Sequence, residues 1–199
     1  MFQINEVPSH IKQSMTDKEI WQEQCPVKFE QLNLLTMKYC DFDQNIQIGQ
    51  MIVHQAIAKN TIAIFNELFN IKFPIANMNL IDHYNGNDEL SMADNNSSSF
   101  NYRKIANSNQ YSMHAYGLAI DINPIQNPYI QIFRENLSVS VLPKLGVDYL
   151  NRNNQRLGMV EPIVGIFKKL GLTVWGGDWN DPLDYHHFQV ERSMIDHMI

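Results

Sequence analysis

The sequence predicts an α+β fold: an antiparallel β-sheet core flanked by helices, in one domain spanning residues 1–199. Three observations lead there. Two stretches carry apolar residues at helical spacing. The half after residue 112 holds short alternating stretches that read as strands, with helical sequence between them. No repeat and no low-complexity linker divides the 199 residues.

Residues 1–45 form an N-terminal segment with weak patterning. Within residues 17–38, Ile20, Trp21, Phe29, Leu32 and Leu35 have loosely helical spacing that Pro26 interrupts. That predicts two short helices, or a helix and a coil. Residues 46–190 carry the clearer signals. Residues 50–54 are short and apolar, as in a strand. Residues 56–69 turn helical, with Ile57, Ile64 and Leu68 on one face and Lys59, Asn60, Asn66 and Glu67 opposite. Residues 73–75 and 79–81 read as extended. Residues 82–111 are polar and poor in regular signals, a surface loop or a functional one.

Residues 119–123 alternate, with Leu118, Ile120 and Ile122 on one side and Ala119, Asp121 and Asn123 on the other. Residues 157–170 have a second helical pattern (Val160, Ile163, Phe167, Leu170), stopped by Gly171. Residues 173–175 lead into a tight turn at Gly176-Gly177. From residue 187 to 190 alternation returns, and His187 shares a face with Gln189 while Phe188 and Val190 turn to the core.

Composition excludes several classes. The net charge of −6 and pI near 5.6, with scattered Lys and Arg, argue against nucleic acid as a partner. No stretch approaches the about 20 apolar residues of a membrane span. The first 20 residues show no signal-peptide pattern. Two cysteines, Cys25 and Cys40, are too few for a disulfide framework and are expected as free thiols. A monomer is expected.

Two segments carry chemistry. The first runs Ser112-Met-His114-Ala-Tyr-Gly117-Leu-Ala-Ile-Asp121. The second runs Trp175-Gly-Gly-Asp178-Trp179, then Asp184-Tyr-His186-His187-Phe188. A catalytic zinc site takes three protein ligands and leaves one position open, and imidazole and carboxylate both suit it. His114, Asp121 and His187 offer those donors. Gly117 permits the chain to bend, so that His114 can return beside the strand carrying Asp121. Asp184, three residues before His187, is placed to act as a general base. Taken alone, a His and an Asp at this spacing fit surface residues or hydrogen-bond partners as well.

Together the two segments closely resemble the zinc peptidases of family M15, the D-alanyl-D-alanine carboxypeptidase and L-alanyl-D-glutamate endopeptidase family. Ser112, His114, Gly117, Ala119 and Asp121 meet its Ser-x-His-x-x-Gly-x-Ala-x-Asp pattern. Trp175 to Trp179 and Asp184 to Phe188 meet its Trp-Gly-Gly-Asp-Trp and Asp-x-x-His-Phe elements. The resemblance covers roughly residues 46–190. It implies the hedgehog/DD-peptidase type of fold with zinc on the sheet face. It also implies ligands at His114, Asp121 and His187, and a catalytic carboxylate at Asp184. The implied substrate is a bacterial peptidoglycan peptide or muropeptide, which favours a periplasmic or secreted location. Ser98-Ser-Phe100-Asn-Tyr-Arg103 looks like the segment that places an Arg in the cleft, and residues 123–129 are similar to a family loop. Arg103 would grip a substrate carboxylate in a bidentate fork or stabilise an oxyanion; otherwise it is a surface Arg. Ser112 either meets substrate or caps its loop.

Two positions depart from the pattern. His186 adjoins His187; the Asp-x-x-His spacing assigns His187 to the metal, and on that register His186 faces away, toward core or solvent. Asp stands at 184 where Glu also occurs, which leans toward the endopeptidase branch. Asp178 is read as holding the turn, and Tyr116, Trp175 and Trp179 as core or cleft walls. His10, His54, His83 and His197 read as structural or surface residues. A peptidase is one expectation; a catalytically inactive zinc-binding domain that recognises wall peptides is the other, and the retained carboxylate at 184 separates them. No His-Glu-x-x-His string occurs.

Overall fold

A computed structural model describes residues 1–106 and 108–199. In chain order the elements are β1 (Phe2–Glu6), α1 (Ser9–Asp17), β2 (Leu32–Cys40), β3 (Ile46–His54), α2 (Gln55–Asn70) and α3 (Asp88–Ala93). Then come β4 (Ala119–Asp121), β5 (Tyr129–Phe133), β6 (Ser138–Leu142), α4 (Val164–Lys169), β7 (Val174–Trp175), β8 (Leu183–Asp184) and β9 (His187–Gln189). The class is α+β, as expected. The strands do not form one sheet, however. They form three antiparallel sheets of three strands, in the orders β1-β2-β3, β4-β9-β7 and β6-β5-β8.

In the first sheet, β2 and the second half of β3 are buried on both faces, while β1 and the start of β3 are largely exposed. Leu35, Met37, Met51 and Val53 point into the main core, and Leu32, Leu34 and Ile52 point into a second cluster with Val7, Ile11, Met15 and Ile20. Period-two alternation of apolar residues on both faces leaves no polar stripe, which is why residues 32–40 resembled a broken helix in sequence. They are a strand instead, and of the expected helical sequence in residues 17–38 only a short 3-10 turn at Phe29–Gln31 forms. Asp41 closes the β2–β3 turn by accepting the backbone N–H groups of Asp43 and Asn45.

Helix α2 meets its expectation. Ile57, Ala58, Thr61, Ile64, Phe65 and Leu68 form its buried face, and His54 caps its start by accepting the Ala56 N–H at Nδ1. His54 is therefore a structural histidine, buried completely. The second expected helix is shorter than its pattern. Gly158 has positive φ and Pro162 opens a 3-10 turn at Glu161–Ile163, so α-helix runs only from 164 to 169. The polar residues 82–111 are not bare loop: they hold α3 and a 3-10 turn at Ile81–Tyr84.

The main core joins these parts. The Phe167 ring of α4 stacks on Phe188 of β9 at 3.9 Å between centroids, within a cluster that also holds Ile120 of β4 and the adjoining Ile122. This anchors the small β4-β9-β7 sheet firmly, and that sheet carries the site. Among the described residues no helix is long and apolar enough to cross a membrane.

Candidate metal centre

β4 and β9 pair so that Asp121 stands opposite His187. Opposed residues of an antiparallel pair project on the same face, so strand register alone brings these two side chains together. His114 arrives from a 3-10 turn, Met113–Tyr116. The Ser112 hydroxyl caps that turn by accepting the His114 N–H. Gly117 ends it in the left-handed region at φ 67°, with its N–H returned to the His114 carbonyl. A Cβ at Gly117 would also collide with the backbone nitrogen of His54. Only glycine meets both demands, and the reversal drops the chain straight into β4.

The three side chains converge. His114 Nε2 lies 3.1 Å from Asp121 Oδ2, His187 Nδ1 lies 3.0 Å from Asp121 Oδ1, and the two ring nitrogens are 3.1 Å apart. All three residues are buried. Donors at about 2.0–2.1 Å from a tetrahedral metal are separated by about 3.3 Å, close to these spacings. The backbone carbonyl of Ser99 takes the Nδ1 proton of His114 at 2.6 Å, which leaves the Nε2 lone pair aimed at the cluster. The donor set and its spacing fit a divalent metal ion, and these three residues are the ones that could hold it.

Charge is concentrated here. Burial pushes the Asp121 carboxyl up, but His114 and His186 outweigh it and hold the group well below the usual carboxylate range. Burial pulls His187 down, and its hydrogen bond to Asp121 more than reverses that.

His186 does not face away. The expectation rested on strand alternation, but β9 begins at His187 and residues 185–186 form the turn out of β8, where alternation does not apply. The His186 ring is buried, with Nδ1 donating to the Asn127 carbonyl at 2.7 Å. Its Nε2 lies 2.9 Å from Asp184 Oδ1 and 3.8 Å from Asp121 Oδ2. Burial lowers the pKa of His186, yet Asp184 and then Asp121 raise it to about 10. Asp184 Oδ1 is thus a buried carboxylate oxygen at the edge of the cluster, with His186 as its partner. Gly176 lets the chain pass tightly against Asp184: a Cβ there would run into the Asp184 carbonyl and Cβ. Nothing in the local pattern of Asn127, 59 positions upstream, marked it as the anchor of His186.

The remaining candidates sit as follows. Arg103 pairs with Asp88 at 3.0 Å and accepts the Ser112 N–H at its backbone carbonyl. Tyr129, the register partner of Asp184, has its hydroxyl pushed up by burial, then by Asp184, and lowered by Arg103. Asp178 pairs with Lys168 and touches no ligand histidine. Trp175 donates to the Tyr185 carbonyl, and the Trp179 ring lies 5.4 Å from that of His187.

Residues 106–190 match the family model described as D-alanyl-D-alanine carboxypeptidase. The match, over residues 106–190 of the 199, supports peptidase family M15. The matched segment contains His114, Asp121, Asp184 and His187 and begins just after Arg103. No curated protein and no solved structure matches the chain significantly.

Proposed function

We propose that this chain is a zinc-dependent peptidase that hydrolyses peptide bonds in bacterial peptidoglycan stem peptides, with the L-Ala–D-Glu endopeptidase reaction preferred over release of D-Ala. The observation that carries this reading is the convergence of two imidazoles and one carboxylate inside the segment that matches the M15 family model, with the Asp184 carboxylate, paired to His186, at the edge of the cluster.

His114, Asp121 and His187 would hold the ion. When bound, zinc would supply Lewis acidity and bring the pKa of a bound water toward ~7. Asp184 takes a proton from the attacking water and returns it to the leaving amine, a task suited to a buried carboxylate at the edge of the cluster. Arg103 binds a stem-peptide carboxylate, and Asp88 holds its guanidinium in place. Ser112 keeps His114 in position through its cap and is offered as a substrate contact.

Purified protein incubated with defined muropeptides, with and without chelator, tests the proposal. New amino termini that form only in the zinc-loaded sample support it, and their identity separates endopeptidase from carboxypeptidase. Zinc-loaded protein that binds these peptides and cleaves none would favour the inactive recognition domain.

A further inference from the structure

A metal-binding imidazole must present a lone pair at the metal, so the position of its one proton matters. His114 has this settled by the backbone carbonyl of Ser99. His187 has no backbone acceptor. Its second ring nitrogen, Nε2, lies 2.8 Å from Oε1 of Gln189.

We infer that Gln189 is a positioning residue for the metal centre: its amide oxygen fixes the Nε2–H tautomer of His187 and so directs the Nδ1 lone pair toward Asp121 and His114. This inference rests on the metal reading of the site.

The direction of the amide follows from its own partners. Gln189 Nε2 donates to the Val190 carbonyl at 3.3 Å, so the oxygen is the end that faces His187. An amide oxygen can only accept, and the imidazole nitrogen opposite it must therefore carry the proton. The other tautomer would set two lone pairs against each other at 2.8 Å. Turning the amide over would relieve that clash but set its oxygen against the Val190 carbonyl. The backbone leaves little slack. β9 is the middle strand of its sheet, and Gln189 is the register partner of both Ala119 and Val174. His187 and Gln189 are two residues apart on one face, which is the spacing a strand requires for side chains to touch along its length.

Partners of this kind, one bond removed from a metal, typically change affinity by about 10–100-fold when removed. Zinc affinity measured by chelator competition is the test, with Gln189→Met and Gln189→Glu as the variants. Methionine keeps the length and removes the acceptor; glutamate keeps an acceptor. The expected result is a loss of about 10–100-fold for Gln189→Met and affinity at or above the parent's for Gln189→Glu. Unchanged affinity in Gln189→Met overturns the inference, and so does a Gln189→Glu protein as weak as Gln189→Met. A measurement on the unsubstituted protein guards against a variant that does not fold: in the zinc-loaded chain the His187 Nε2–H should give a nuclear magnetic resonance signal protected from water. Rapid exchange of that proton overturns the inference as well. His114→Ala runs in the same assay. If it binds zinc as tightly as the parent, the metal reading itself is wrong and takes this inference with it.

Discussion

Asp121 and His187 face each other across β4 and β9, with Oδ1 and Nδ1 3.0 Å apart. The pair is made by strand register, while the third member, His114, is delivered by a turn. Each means of delivery fails differently, and that separates the expected effects of substitution.

Asp184→Asn keeps the shape of the side chain and removes its basicity. It lies outside the ligand set, so the chain should bind zinc as before and lose about 10²–10⁴-fold in kcat. Steady-state hydrolysis of a muropeptide, alongside a zinc titration, measures both. Full activity in the variant would mean that another group takes the proton.

His187→Ala removes a proposed ligand and should lose zinc far beyond the about 10–100-fold range of an indirect partner. His186→Ala removes a group that flanks Asp184 and Asp121 without being a proposed ligand, and should stay within or below that range. Metal content after dialysis ranks the two. The reverse ranking would reassign the ligand to His186.

Gly117→Ala forces a side chain into the left-handed region and against the His54 nitrogen. The backbone conformation alone should cost about 1–3 kcal/mol. Denaturant unfolding reads the loss of stability. Zinc affinity should fall with it, because the same reversal sets His114 beside β4.

Cys25 is half-buried, and burial pushes its thiol up to about 11, against a smaller lowering from the Val27 backbone. A raised thiol pKa means that the reactive thiolate is scarce at neutral pH. Alkylation of native protein should therefore be slow near pH 8 and keep rising toward pH 11, where an ordinary thiol levels off near 9. A plateau near pH 9 would show that the thiol is not perturbed. Cys40 is buried, and both cysteines are free.

How much was legible follows from where each signal lies. His114, Asp121, Asp184 and His187 stood out because they fall within two short motifs that together resemble a known family; their spacings alone fit surface residues as well. Helix α2 was legible because its apolar face repeats within 16 residues. Strand β2 was not, because both of its faces are buried by segments distant in sequence. Helix α4 was overestimated because apolar spacing persists through a glycine and a proline that stop the backbone.

The sequence by itself determined the α+β class and, through its resemblance to a known family, which residues are candidate ligands; the turn that carries His114 follows from glycine stereochemistry. Only the tertiary structure decided that Asp121 meets His187 in register, that the sheet is three small sheets, and that His186 turns inward to Asp184 and Asn127. Those outcomes depend on contacts between residues tens of positions apart. A buried polar side chain is oriented by whichever donor or acceptor the fold brings to it, and no local pattern records which one that is.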